Sequence, residues 1–155
     1  MKYITGSLLL AGGLLLSGIA SADSYVEPKI THAAFGDVNI VVPVTSGDSS
    51  VWQLKLANIQ NAMNAAQQFG GHLSVKVVNY GPGLELLAQK NNGIAKAVND
   101  LRARGVQFLV CDQTLKRMNL DFHTLNAVSD ADVVPAGFLE VGWLQTQQYK
   151  VDPMN

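Results

Sequence analysis

The first candidate for chemistry in the sequence is its single cysteine, Cys111. A thiolate attacks sulfur–sulfur bonds, and helix N-terminal amides or nearby cations lower its pKa from about 8.5. Cys111 follows the apolar run 106–110 and precedes a segment that contains Lys116 and Arg117. The adjacent Asp112 acts in the opposite direction, because a carboxylate disfavours a second negative charge. The alternative is an inert, buried thiol, since free cysteine also behaves as a small apolar residue.

A second candidate is the turn Tyr80-Gly81-Pro82-Gly83. Its glycines allow backbone amides to approach an anion or the cysteine, although a plain strand-to-helix turn is the simpler interpretation. Phosphate-binding glycine motifs do not occur in the sequence. The histidines, His32, His72 and His123, lack the spacing of metal ligands, so neither a metal nor a cofactor is predicted. His123 would serve Cys111 as a base only if the fold brought the two together, and a surface histidine is the simpler expectation.

Short β-branched runs alternate with stretches of helical periodicity after residue 37. The predicted strands are 38–44, 73–79, 106–110, 132–135 and a short edge strand within 149–152. The predicted helices are 52–69, 84–90, 93–104 and 136–148, with one or two helical turns within 115–126. This alternation predicts one α/β domain with a mostly parallel sheet. In such sheets ligands bind beyond the carboxyl ends of the strands, where the candidate turn and Cys111 are expected to converge.

The N-terminus has the three parts of a cleavable signal peptide. Lys2 supplies a positive start, 4–16 is uncharged and apolar, and Ala20-Ser21-Ala22 matches a cleavage site. We therefore predict a signal peptide over 1–22, a polar lead-in over 23–37 and the α/β domain over 38–155. A membrane anchor is less favoured, because the apolar run is shorter than the roughly 20 residues that span a bilayer. The mature protein is expected to be periplasmic or secreted, without membrane attachment.

Composition limits the partners. The 11 Lys and Arg residues are balanced by 12 Asp and Glu, without a basic run, so the sequence gives no electrostatic case for binding nucleic acid. A single cysteine allows no intramolecular disulfide. The aromatic residues of the last predicted helix, Phe138 and Trp143, are expected in the core or in a subunit interface.

Five stretches occur in a characteristic order: 56–61, 77–87, 104–115, 133–137, and Leu144-Gln145 followed by Tyr149 and Pro153. Together they resemble the DsrE/DsrF-like (YchN-like) family over about 38–153. The resemblance implies a three-layer α/β/α domain with about five strands that assembles into a homo-oligomer, a trimer or a hexamer. In the sulfur-relay members, a cysteine at the end of the third strand accepts sulfur as a persulfide and passes it to a partner. Cys111 occupies the matching position.

These observations lead to two hypotheses. In the first, the exported protein handles sulfur through a persulfide on Cys111, with a sulfur donor or acceptor protein as partner and with at most sulfurtransferase or sulfur-carrier activity. The candidate binding residues are Tyr80, Gly81, Gly83, Asp112 and Thr114. In the second, the protein is a non-enzymatic oligomeric module that binds a small molecule, and Cys111 is merely packed. Redox sensing through an intermolecular disulfide is a third option. Export sets this chain apart from the cytoplasmic relay proteins, because it exposes the thiol to oxidation.

Overall fold

The computed structural model of the protein describes residues 26–90 and 92–152, and the predicted signal peptide over 1–22 lies outside them. The chain forms one parallel sheet with the strand order β4-β3-β2-β1-β5. Its strands are β1 (Gly36–Val44), β2 (Gly71–Asn79), β3 (Gln107–Cys111), β4 (Val133–Val134) and β5 (Lys150–Val151).

Helices connect the strands in the alternation that the sequence predicts. They are α1 (Ser49–Gln68), α2 (Glu85–Ala88), α3 (Gly93–Ala103), α4 (Asp112–Met118) and α5 (Gly137–Thr146), with 3-10 turns at Gly81–Leu84, Phe122–Thr124 and Asp130–Asp132. Local capping explains where the two longest helices begin. The Asp48 side chain accepts a hydrogen bond from Ser50 N, and the Asn92 side chain accepts one from Ala95 N. Among the described residues, no helix has both the length and the apolar character needed to span a bilayer.

Both faces of the sheet are buried, which confirms the three-layer α/β/α architecture. Alternate residues of the central strands, such as Val77 and Phe108, join a large core with apolar residues of α1 to α4. The intervening residues, such as Val78 and Leu109, form a smaller core against Val141 and Leu144 of α5. Within the described residues, the sheet is therefore covered by four helices on one side and by α5 alone on the other.

The structure differs from the sequence prediction mainly at element boundaries. β1 and β2 each begin two residues earlier than predicted, because Gly36 pairs with Gly71 in the parallel register. The two segments approach each other so closely there that a Cβ on Gly71 would lie 2.7 Å from the Phe35 Cβ. The helical segment after Cys111 begins at Asp112 rather than near 115, and an Asp112–Lys116 ion pair spans its first turn.

Candidate functional site

Cys111 lies at the carboxyl edge of the sheet, where the sequence places it. It is the last residue of β3 and occupies the N-cap position of α4. β3 is flanked by β2 and β4, so Cys111 lies on an interior strand rather than on an edge strand. Only 5% of Cys111 is exposed, and the cysteine is free.

The surroundings of Cys111 favour its thiolate form. Burial raises the pKa of the thiol, because a thiolate loses hydration inside the protein. Hydrogen bonds oppose this effect of burial and hold the pKa of Cys111 below its ordinary value. They come from the Thr114 hydroxyl and from the backbone N–H groups of Gly137, Thr114 and Gln113. Gln113 and Thr114 belong to the first turn of α4, and Gly137 opens α5. Two helix starts therefore supply donors that stabilise the nucleophilic form.

The turn after β2 is held against the end of β1. Tyr80 N donates a hydrogen bond to Val44 O at 3.1 Å, and Gly83 N donates one to Thr45 O at 3.2 Å. A Cβ on Gly83 would lie 2.0 Å from Val44 O, so only glycine fits at this position. Gly83, which the sequence suggests as a binding residue, is placed to hold the turn close to β1.

Gly81 connects this turn to the helix that follows Cys111. Its φ of +57° is a left-handed conformation that glycine adopts without strain. In this conformation Gly81 N donates a hydrogen bond to Thr114 Oγ1 at 3.0 Å. The structure therefore brings Gly81, Thr114 and Cys111 together, although they come from two different strand-to-helix connections.

Tyr80 lies beside the thiol and against the start of α5. Burial raises the pKa of the Tyr80 phenol, and the negative charge of Cys111 raises it further. A Cβ on Gly137 would lie 2.8 to 3.0 Å from three atoms of the Tyr80 side chain, so the ring rests on the backbone of Gly137. Gly137 is a site residue that is not among the candidates from the sequence, although it lies in the stretch 133–137 that carries part of the family resemblance.

The charged residues after Cys111 act differently from the sequence expectation. Lys116 Nζ lies 2.6 Å from Asp112 Oδ2, so the lysine pairs with the neighbouring carboxylate, and it is not among the groups that shift the pKa of Cys111. The cause is their i, i+4 spacing on one helix face. Arg117 Nη2 lies 4.0 Å from the position that a Cβ on Gly81 would occupy, which places the guanidinium over the turn.

His123 is a surface histidine, as the simpler expectation has it. Its Nδ1 lies 2.6 Å from Asp121 Oδ1, its ring stacks on Phe122, and its side chain is 70% exposed. It is absent from the groups that shift the pKa of Cys111. Within residues 26–90 and 92–152, no cluster of three or more His, Cys, Asp or Glu side chains could hold a metal ion.

Comparison with known proteins assigns the chain to a family. The sequence model described as the DsrE/DsrF-like family matches residues 39–151. The chain belongs to the DsrE/DsrF-like family. A solved structure similar to this DsrE/DsrF-like chain is the protein of unknown function MTH1491 from Methanobacterium thermoautotrophicum. The two chains are 25% identical, with a TM-score of 0.65, and the match covers 75% of this chain and 98% of the other. No curated protein matches the sequence.

The DsrE/DsrF-like domain carries an exposed apolar surface on α5, next to the site. Phe138, Leu139 and Trp143 are 81%, 69% and 52% exposed. A core position for Phe138 and Trp143 is therefore wrong, because α5 turns Val141 and Leu144 toward the sheet instead. We call Phe138, Leu139 and Trp143 the α5 patch. It begins one residue after Gly137, whose N–H faces Cys111.

Proposed function

We propose that this DsrE/DsrF-like protein is an exported sulfur-handling protein that carries sulfur as a persulfide on Cys111. The observation that supports the proposal best is the set of donors around the thiol, which holds its pKa below the ordinary value despite burial. A packing cysteine needs no such donors. A cysteine that attacks sulfur needs a substantial thiolate fraction at the ambient pH.

The proposed chemistry consists of two balanced exchanges without net oxidation. The Cys111 thiolate attacks the outer sulfur of a donor persulfide, R–S–SH. A sulfur–sulfur bond forms to Cys111, the donor's sulfur–sulfur bond breaks, and R–S⁻ leaves with the electron pair. An acceptor thiolate then attacks the outer sulfur of Cys111–S–SH, and the Cys111 thiolate leaves in turn. The donors from Gln113, Thr114 and Gly137 stabilise the charge on Cys111 at the start and at the end of this cycle.

Mass spectrometry of the intact protein tests the proposal. Mature protein incubated with polysulfide should gain mass in steps of about 32 Da, and reducing agent should remove them. Cys111→Ser should gain none, because the chain has no other cysteine. An unchanged wild-type mass, or an equal gain in Cys111→Ser, would refute the role of Cys111.

Export is the second part of the proposal, and residues 1–22 support it through their signal-peptide pattern. Protein recovered from the periplasm or the medium should begin at Asp23. Recovery of the full-length chain from the cytoplasm would contradict export. That result would leave the chemistry of Cys111 open to its own test.

We further propose that the protein assembles with copies of itself, as a trimer or a hexamer, and that the α5 patch lies in the interface. The support is the exposure of three large apolar side chains on one short helix. A neighbouring subunit on α5 would also shield Cys111 from oxidants outside the cytoplasm.

Light scattering coupled to size exclusion tests this assembly. Leu139→Glu should dissociate it, because an isolated carboxylate is costly to bury in an apolar interface. The matched control is Leu54→Glu on α1, which replaces a leucine of 52% exposure outside the α5 patch. A monomeric wild type, or equal dissociation by both variants, would contradict the proposed interface.

The burial of Cys111 favours a second candidate function. A thiol that is only 5% exposed is also compatible with a non-enzymatic small-molecule-binding module in which the cysteine is packed. Reaction with a thiol reagent separates the two candidates. Modification of the native protein supports sulfur handling, whereas modification only after unfolding supports the binding module.

A further inference from the structure

Arg117 is a cation at the carboxyl end of the sheet that is not among the groups that shift the pKa of Cys111. It lies in the last turn of α4, and Cys111 occupies the N-cap of the same helix. Arg117 Nη2 lies 4.0 Å from the position that a Cβ on Gly81 would occupy. Gly81 N in turn donates a hydrogen bond to Thr114 Oγ1 in the first turn of α4. The arginine side chain therefore reaches back along α4, from its last turn to the turn beside the thiol.

The charge of Arg117 is not cancelled by a neighbouring carboxylate. The side chain is exposed, and no ion pair among the described residues includes it. Asp112 on the same helix is paired with Lys116. Glu85, which follows the Gly81 turn, places its Oε2 3.8 Å from the position of a Cβ on Gly47, so it faces the loop after β1. A positive charge is therefore available at the rim of the site.

The burial of Cys111 limits the size of a sulfur donor. Only 5% of the residue is exposed, and it lies on an interior strand. A small persulfide can present its outer sulfur through a narrow opening. A persulfide carried on the surface of a folded protein cannot do so without a rearrangement of one of the two proteins.

We propose that Arg117 is a substrate-binding residue that selects small persulfide donors bearing a carboxylate. Its planar guanidinium can donate two parallel N–H bonds to such a group. With the carboxylate held there, the Cys111 thiolate attacks the outer sulfur of the donor. A sulfur–sulfur bond to Cys111 forms, the donor's sulfur–sulfur bond breaks, and the inner sulfur leaves as a thiolate with the electron pair. This inference deepens the proposed sulfur-handling function and rests on it for the group that is transferred.

Two alkylating reagents test the charge at this position without any sulfur donor. Iodoacetate and iodoacetamide react with the same thiolate, but only iodoacetate carries a carboxylate, so the ratio of their rate constants is independent of the thiolate fraction. Arg117→Gln should lower the iodoacetate-to-iodoacetamide ratio about two- to fivefold, as expected for the loss of one exposed ion pair. Arg117→Lys should lower it less, because the charge remains while the planar fork is lost. The difference between wild type and Arg117→Gln should shrink at about 0.5 M salt.

The matched control is Arg104→Gln, which removes the same charge at the opposite end of β3. Arg104 caps the end of α3 and precedes β3, whereas Cys111 ends that strand. The strand separates the two by about 13 Å or more, which exceeds the screening length of about 10 Å at 0.1 M salt. The ratio in Arg104→Gln should therefore stay near the wild-type value.

Three results overturn the inference: an unchanged ratio in Arg117→Gln, an equal fall in Arg104→Gln, or no reaction of the native thiol with either reagent. A merely structural role of Arg117 at the C-terminus of α4 would lower the stability of Arg117→Gln and leave the ratio unchanged.

The persulfides of cysteine and cysteamine extend the test to sulfur transfer, because cysteamine lacks the carboxylate. Arg117→Gln should slow the mass gain from cysteine persulfide about two- to fivefold and should not slow the gain from cysteamine persulfide. Equal slowing with both donors overturns the selection of a carboxylate.

The alkylation ratio separates this inference from the proposed function. If the wild type gains no sulfur from either persulfide but Arg117→Gln lowers the ratio, sulfur handling fails and carboxylate binding by Arg117 stands. If sulfur uptake occurs on Cys111 and the ratio does not change, the role of Arg117 fails and sulfur handling stands.

Discussion

Substituting Gly137 with alanine should disturb the site through a single methyl group. The new Cβ would lie 2.8 Å from Tyr80 Cδ1, 2.9 Å from its Cβ and 3.0 Å from its Cγ. Unstrained carbon atoms stay about 3.5 to 4.0 Å apart, so the two segments must separate by roughly 0.7 Å or more. Rotation of the Tyr80 ring cannot relieve the overlap, because the Tyr80 Cβ is itself too close. We expect the backbone at the start of α5 to move and the free energy of unfolding to fall by about 1 to 3 kcal/mol.

The same movement should change the surroundings of the Cys111 thiol. The Gly137 N–H is one of the donors that lower the pKa of the Cys111 thiol, so its displacement should raise the pH midpoint of iodoacetamide alkylation. The matched control is Gly142→Ala on the same helix, where a Cβ would meet nothing within 4 Å. That variant should gain up to about 1 kcal/mol from helix propensity and keep the wild-type midpoint.

Urea unfolding gives the stability of both variants, and the alkylation rate as a function of pH gives their midpoints. If Gly137→Ala is as stable as Gly142→Ala and keeps the wild-type midpoint, Tyr80 does not rest on Gly137 as described. If it is destabilised while its midpoint is unchanged, the clash is real but the Gly137 N–H does not support the thiolate.

Two further substitutions test how the site is held. Gly83→Ala places a Cβ 2.0 Å from the carbonyl oxygen that ends β1 and should cost about 3 kcal/mol or more, whereas Gly93→Ala in open space should not destabilise the protein. Equal unfolding midpoints in urea would count against this difference. Asp152→Asn should cost about 3 kcal/mol, because it removes the charge opposite the buried Lys55, whose Nζ lies 2.8 Å from Asp152 Oδ2. The control is Asp100→Asn, which removes one partner of the exposed Lys96–Asp100 ion pair and should change the free energy of unfolding by less than about 0.5 kcal/mol. Urea titration measures both variants, and a similar loss in both would contradict the importance of burial.

The sequence predicts the fold well because the signals for its elements are local. Continuous β-branched runs such as 38–44 are typical of strands that are buried on both faces, and helical periodicity separates them. The start of β1 at Gly36 is not predictable in this way. Gly36 and Gly71 are in strands because they pair with each other, and neither has a side-chain pattern that indicates a strand.

The candidate site is predictable only in part, for the same reason. The position of Cys111 at a strand end follows from the adjacent apolar run, and Tyr80 and Gly81 follow from the general location of ligands in parallel sheets. The donor from Gly137 belongs to a different helix, and only tertiary packing brings it to the thiol. The exposure of Phe138 and Trp143 is hidden in the sequence as well, because α5 is apolar on several faces and its pattern does not show which face meets the sheet.

The strand order has a consequence for how the chain folds. β1 to β4 follow one another along the chain and across the sheet, so each can add to the strand made before it. β5 instead returns to β1, where Val151 pairs with Val41 and Asp152 N donates a hydrogen bond to Val41 O at 2.9 Å. Such distant pairing is slow to form. A growing chain therefore keeps one side of β1 open, with unpaired main-chain groups, until its C-terminal segment has been synthesised.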